Sequence, residues 1–235
     1  MPPKTDSSRN LLTSLVLIFP LFLLYQVGVL FTLPMLNGAD FVTLLLFGTF
    51  HFTLREYAIF LAGIVAVFGL VLYLLKRKQR VEGRVLLPML LESSIYALTM
   101  GALIVFVMTK LLGFSPHLSA ARPQQGLITR VVMSLGAGFY EELVFRLGLL
   151  NGLKYTFARV LGLGDVITAL AAFLLSSLLF SAVHYIPPYG DMLALDSFTF
   201  RFLAGIVFAI IYRFRGLAVA VYTHAFYDIF VLVIR

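Results

Sequence analysis

Two adjacent acids, Glu141 and Glu142, stand in the middle of a largely apolar stretch that runs from Ser134 to Arg146. Two later apolar stretches carry a histidine each: His184, four residues after Phe180, and His224, four residues before Asp228. An ionisable group in hydrocarbon costs at least ~2.5–3.5 kcal/mol on insertion scales, so each of these groups needs a partner or a task. In a helix, residues four apart share a face, which lets Glu142 pair with Arg146 and sets the His224 imidazole above the Asp228 carboxylate. Glu141 lies about 100° round from Glu142 and has no cation on its own helix face. The expected pocket therefore holds Glu141, His184 and the His224/Asp228 pair, with Glu142, Arg146 and Phe180 positioning and packing around it. A carboxylate and an imidazole shielded from lipid suit general-base activation of water, and a second imidazole can face a developing oxyanion.

The elements that must carry these groups are membrane helices. Of 235 residues, 61% are hydrophobic and 12% charged, against about 45–50% and about 25% in soluble domains. With a mean hydropathy of +1.00, most of the surface must meet lipid. The absence of cysteine excludes a disulfide framework, a thiolate nucleophile and Cys-based metal sites. The formal charge of +7 is accounted for by basic loops beside a membrane, so nucleic acid is not a partner.

About seven spans follow from the apolar runs: Leu11–Leu33, Tyr57–Leu75, Val85–Leu112, Leu127–Leu150, Val166–Ile186, a short Phe198–Tyr212 and Leu217–Ile234. Phe41–Phe52 is too short to span and is read as interfacial or re-entrant. The fold class is thus all-α, a polytopic transmembrane bundle with its core in the last four helices. Lys4, Arg9, the Lys76–Arg84 run, Lys154, Arg159, Arg213 and Arg215 fall on one side. The positive-inside rule makes that side cytoplasmic, with the C-terminus opposite. Gly136, Gly138, Gly148 and Gly205 permit close helix contact. Glu92 is expected to reach back to the interface, His51 and His117 to be solvated, and Tyr140 to pack. With these span ends, His184 lies near the outer end of its helix and His224 only about 10 Å from the inner end of its own. Span counting therefore keeps the two imidazoles apart.

The ordered set Glu141-Glu142-x-x-x-Arg146, Phe180-x-x-x-His184 and His224-x-x-x-Asp228 resembles the CAAX protease and bacteriocin-processing family of intramembrane endopeptidases. The likeness covers about Leu127 to Arg235. It divides the chain into N-terminal helices, 1–122, without assigned function, and a protease-like core, 123–235. The resemblance implies that Glu141, helped by His184, activates water for peptide-bond hydrolysis in a membrane-associated protein or peptide, that His224 with Asp228 holds the oxyanion, and that the two imidazoles meet. Prenyl-processing members carry Asn at the last position. Asp228 would repel an oxyanion unless protonated, and an orienting role toward His224 suits it better.

No cofactor is the favoured reading, and zinc held by Glu141, His184, His224 and Asp228 is the alternative. Those ligand types suffice for zinc, but there is no His-Glu-x-x-His motif. Two other classes use the same charges: a proton-coupled transporter, which predicts inverted repeats that the sequence does not display, and a non-catalytic membrane scaffold or immunity factor.

Overall fold

In the computed structural model, residues 10–114, 126–186 and 190–234 are described. Among them the chain is helical throughout, without a strand, as expected where lipid offers the backbone no hydrogen-bond partners. α1 (Leu11–Thr32) starts on Asn10, whose side chain accepts from Thr13 N–H. The short α2 (Phe41–Gly48) is capped by Asp40. α3 (Leu54–Lys76) opens with a reciprocal Thr53/Glu56 capping box. α4 (Gly83–Phe106) runs into a wide turn at Val107–Leu111.

The helix bearing the two acids is built differently. α5 (Leu127–Gly136) continues through π-helical Ala137–Glu141 and Leu143–Leu150 into α6 (Asn151–Tyr155) and a further π turn, Thr156–Val160. The bundle is completed by α7 (Asp165–Val183), α8 (Leu195–Arg215) and α9 (Leu217–Ile229), which ends in a π turn, Phe230–Ile234.

Among the described residues, six helices are long and apolar enough to cross a membrane. The rod 127–160 is not among them, because Glu141, Glu142 and Arg146 interrupt its apolar run. The sixth span is longer than the sequence suggested: α8 covers Leu195–Arg215 rather than Phe198–Tyr212. The predicted interfacial segment is the short α2 with the turn that follows it. α3 buries only Tyr57 and exposes Ile59, Val67 and Leu70, a surface that only hydrocarbon accepts.

α9 is the axis. Ala218, Val219, Ala220, Val221 and Ala225 are all buried, and α1, α4, α5, α8 and the π turn before Glu142 pack around it. Small side chains and polar cross-links allow this closeness. Ser93 Oγ donates to Val219 O at 3.3 Å and Tyr222 Oη to Leu17 O at 2.8 Å. α8 turns directly into α9 at Gly216, whose φ of 88° lies in the left-handed region that glycine tolerates.

Of the glycines expected at helix contacts, Gly136 faces the Tyr25 ring, Gly138 faces α9 and Gly205 faces Ser177; Gly148 meets only a carbonyl of its own helix. Asn10 donates to Arg80 O, Glu82 N donates to Thr13 Oγ1, and Arg215 pairs with Glu92 at 2.6 Å, so these basic segments share one end of the bundle. Glu92 is thus paired within the protein as well as lying near that end. Arg130, donating to Leu232 O, marks the other.

A Cβ at Gly138 would lie 2.6 Å from Ala225 Cβ and 2.7 Å from Val221 O. Gly138→Ala is therefore expected to destabilise the bundle by about 1–3 kcal/mol through overpacking. Gly152→Ala, with open space around it, should not. Thermal unfolding in detergent of the two variants checks this; equal melting temperatures would contradict the close α9 contact.

Candidate active site

Arg146 is 1% exposed and Glu142 fully buried, and they pair at 3.1 Å between Nε and Oε2. The guanidinium also lies over the Phe180 ring at 4.4 Å and the Phe208 ring at 5.4 Å, and donates to Gly205 O at 3.2 Å. Ion pair, ring faces and carbonyl offset part of the hydration that the cation gives up, while Nη1 is left without a hydrogen-bond partner among the described residues. The expected Glu142–Arg146 pair is present, and Phe180 packs on it.

Glu142 does a second thing that its spacing did not announce. Its Oε1 accepts from His224 Nδ1 at 2.8 Å, while the His224 ring stacks on Phe208 with centroids 4.3 Å apart. Glu142 therefore makes the orienting hydrogen bond to His224. Asp228, to which that role was assigned, stands with Oδ2 3.8 Å from His224 Nε2, a charge contact on the ring's other nitrogen.

Glu141 faces the two imidazoles that pack on the ion pair's rings. Its Oε2 is 3.6 Å from His184 Nε2 and 3.9 Å from His224 Nε2, and its Oε1 accepts from Asn37 Nδ2 at 3.0 Å. His184, the C-cap of α7, donates from Nδ1 to Phe180 O at 2.7 Å. A carbonyl can only accept, so the neutral ring presents the lone pair of Nε2 toward Glu141.

The two imidazoles that span counting kept apart do meet. Ser181 Oγ donates to Phe198 O, and Gly205 lies against Ser177 and Phe180, which fixes α8 beside α7. Phe208 and His224 each lie eight residues from Gly216, so the hairpin sets them level. The His184 ring then has only to fold back one turn over Phe180, toward the N-terminus of its helix as helical side chains do. Depth is set by this packing, and the span ends did not reveal it.

The remaining readings divide. Tyr140 packs, as expected, against Tyr25 and Phe139, but it is also hydrogen-bonded to Gln26, which accepts in turn from Tyr57. His51 is exposed, and His117 lies outside the described residues. Asn37 was not foreseen; one Asn in an Asn-Gly turn carries no signal of reaching a carboxylate 104 positions away. Glu141, His184, His224 and Asp228 are of ligating type, yet among the described residues no set of three or more His, Asp or Glu side chains is arranged to hold a metal ion.

Residues 123–230 match the family model described as Type II CAAX prenyl endopeptidase Rce1-like. No curated protein and no solved structure matches the sequence. All three motifs named from the sequence fall inside the matched segment, on helices that pack into one bundle around α9. Over residues 123–230 this membrane protein is thus similar to the type II CAAX prenyl endopeptidases.

Proposed function

We propose that the chain hydrolyses a peptide bond in a membrane-associated protein or peptide, with water activated by Glu141. The observation that carries this reading is one carboxylate oxygen, Glu141 Oε2, facing two imidazole Nε2 atoms at 3.6 and 3.9 Å. A polar separation above 3.5 Å suits a bridging water. Such a water donates one hydrogen to Glu141 Oε2 and one to His184 Nε2, leaving a lone pair for attack.

In the step that follows, the water oxygen bonds to the carbonyl carbon as Glu141 takes its proton. The carbonyl oxygen becomes an oxyanion beside His224 Nε2, which donates to it when the ring carries both protons. Glu142, itself neutralised by Arg146, holds the other side of that ring. Glu141 then returns its proton to the amide nitrogen, and the C–N bond breaks to give an acid and an amine. Asp228, near His224 Nε2, contributes charge there, and an Asn would keep the contact without the charge. The core 123–235 carries the chemistry in this reading. The basic end of the bundle, with Lys76, Arg77, Lys78 and Arg80 of the N-terminal part, faces the cytoplasm.

Glutamate chemistry is preferred to zinc chemistry because Glu141 Oε1 is committed to Asn37 and because the Arg146 cation lies next to the acids. That no three His, Asp or Glu side chains among the described residues are arranged to hold a metal ion supports the same preference.

Glu141→Gln, His184→Ala and His224→Ala should each lower hydrolysis by about 10²-fold or more, without adding when combined. The readouts are cleavage of a fluorogenic farnesylated CAAX peptide by purified protein and mass spectrometry of membrane peptides from cells carrying the native chain or Glu141→Gln. Fragments found only with the native chain identify the bond; full activity in Glu141→Gln would refute the proposal.

Asp228→Asn should be milder than Asp228→Ala on the same reporter. Chelation by 1,10-phenanthroline should leave the native rate unchanged. Loss on chelation with recovery on added zinc would move the chemistry to a metal-bound water.

A further inference from the structure

Asn37 lies in the N-terminal half, in the turn between α1 and α2, and it is 9% exposed. All four of its polar groups are engaged. Its backbone N–H donates to Tyr25 Oη at 3.2 Å, and its carbonyl accepts from Asp40 N at 3.0 Å. Its side-chain Oδ1 accepts from Ala39 N at 2.8 Å, and Nδ2 donates to Glu141 Oε1 at 3.0 Å. The Ala39 bond fixes which end of the amide is which: a backbone N–H must meet the oxygen, so the NH₂ group must face Glu141.

The turn is held to the site helix at several points. Tyr25, fully buried, packs on Gly136 and sits edge-on to Tyr140, the residue before Glu141. Asp40, also fully buried, anchors the other side of the turn by accepting from Thr43 N at 3.0 Å. Burial pushes the Asp40 carboxyl up, and hydrogen bonds from Thr43 oppose that shift.

Glu141 thus has its two oxygens divided between two duties: Oε1 rests on Asn37, and Oε2 faces His184 and His224. We propose that Asn37 is a positioning residue for Glu141, holding one carboxylate oxygen so that the other points between the two imidazoles. The proposal rests on the reading of Glu141 as the base. It makes the site incomplete without the N-terminal half, to which no family motif extends.

The test uses the full-length chain in detergent and two substitutions. Asn37→Asp keeps the shape and the acceptor for Ala39 N–H but replaces the donor with an acceptor against Glu141. Asn37→Ser keeps a turn acceptor but is too short to reach the carboxylate. With the farnesylated CAAX reporter, each should lower kcat by about ten- to a hundredfold, the effect of one hydrogen bond to a charged group. KM should stay within about twofold, because substrate binding is untouched, and the melting temperature should be retained. Fragment yields from membrane peptides should fall in parallel.

An unchanged kcat in either folded variant overturns the proposal. So does a loss of kcat accompanied by equal changes in KM and melting temperature in both variants, since Asn37 would then only anchor the turn. If Glu141→Gln is inactive while Asn37→Asp and Asn37→Ser are fully active, this inference alone fails. If Glu141→Gln is fully active, the assignment of the base fails with it.

Discussion

A guanidinium buried to 1% exposure between two phenyl rings is the constraint around which this bundle is organised. Arg146 needs Glu142 to neutralise it, Phe180 and Phe208 to face its planar surface, and the Gly205 carbonyl to accept a hydrogen bond that water would otherwise accept. These partners come from three helical segments, so satisfying one charge fixes three elements relative to one another. Removing one member of a buried pair typically costs about 3–5 kcal/mol, because the survivor is left uncompensated. His224 hangs from the same cluster through Glu142 and Phe208. The group that faces the candidate site is thereby locked to the group that holds the fold.

Close approach of backbones makes this arrangement possible. Gly138 admits α9 to the helix that carries the acids, Gly205 admits α7 to α8, and the alanines of α9 keep its surface thin. The π-helical turns on either side of Glu142 widen the same helix where the two carboxylates must diverge. Wide turns of this kind are common at functional sites because they shift the side chains that follow round the axis. Adjacent glutamates consequently serve different neighbourhoods: Glu142 the ion pair and His224 Nδ1, Glu141 the two Nε2 atoms.

The N-terminal half does more than thicken the bundle. α1 packs on α5 through Gly28 against Val132 and Tyr25 against Gly136, and the turn after it places an amide on Glu141. α3, by contrast, offers lipid a nearly unbroken apolar surface. Two apolar helices thus have opposite fates, and what separates them is the polar side chains that they bury: Thr13, Ser14, Gln26 and Thr32 with Tyr25 on α1, Tyr57 alone on α3. Gln26, Tyr57 and Tyr140 form a buried hydrogen-bonded chain at the junction, and from Ala58 to Leu72 α3 carries no polar side chain to dock.

Composition and apolar run length determined by themselves that the chain is helical and lies in a membrane, because hydrocarbon leaves the backbone no alternative. The same rule of cost picked out Glu141, Glu142, Arg146, His184, His224 and Asp228, since ionisable groups in apolar runs are conspicuous. The four-residue spacing foretold the Glu142–Arg146 pair, a contact within one helix. Contacts between helices were decided only by the tertiary structure. The meeting of His184 with His224 depends on how far α7, α8 and α9 slide along one another, which span ends do not encode and a Gly216 hairpin with small-residue contacts does. The Glu142–His224 bond needs the phase of a π turn, and 3.6-residue periodicity misstates that phase. Asn37 is polar in a turn, where polar residues are ordinary; only the folded chain, bringing that turn across 104 positions to Glu141, distinguishes it from any other loop asparagine.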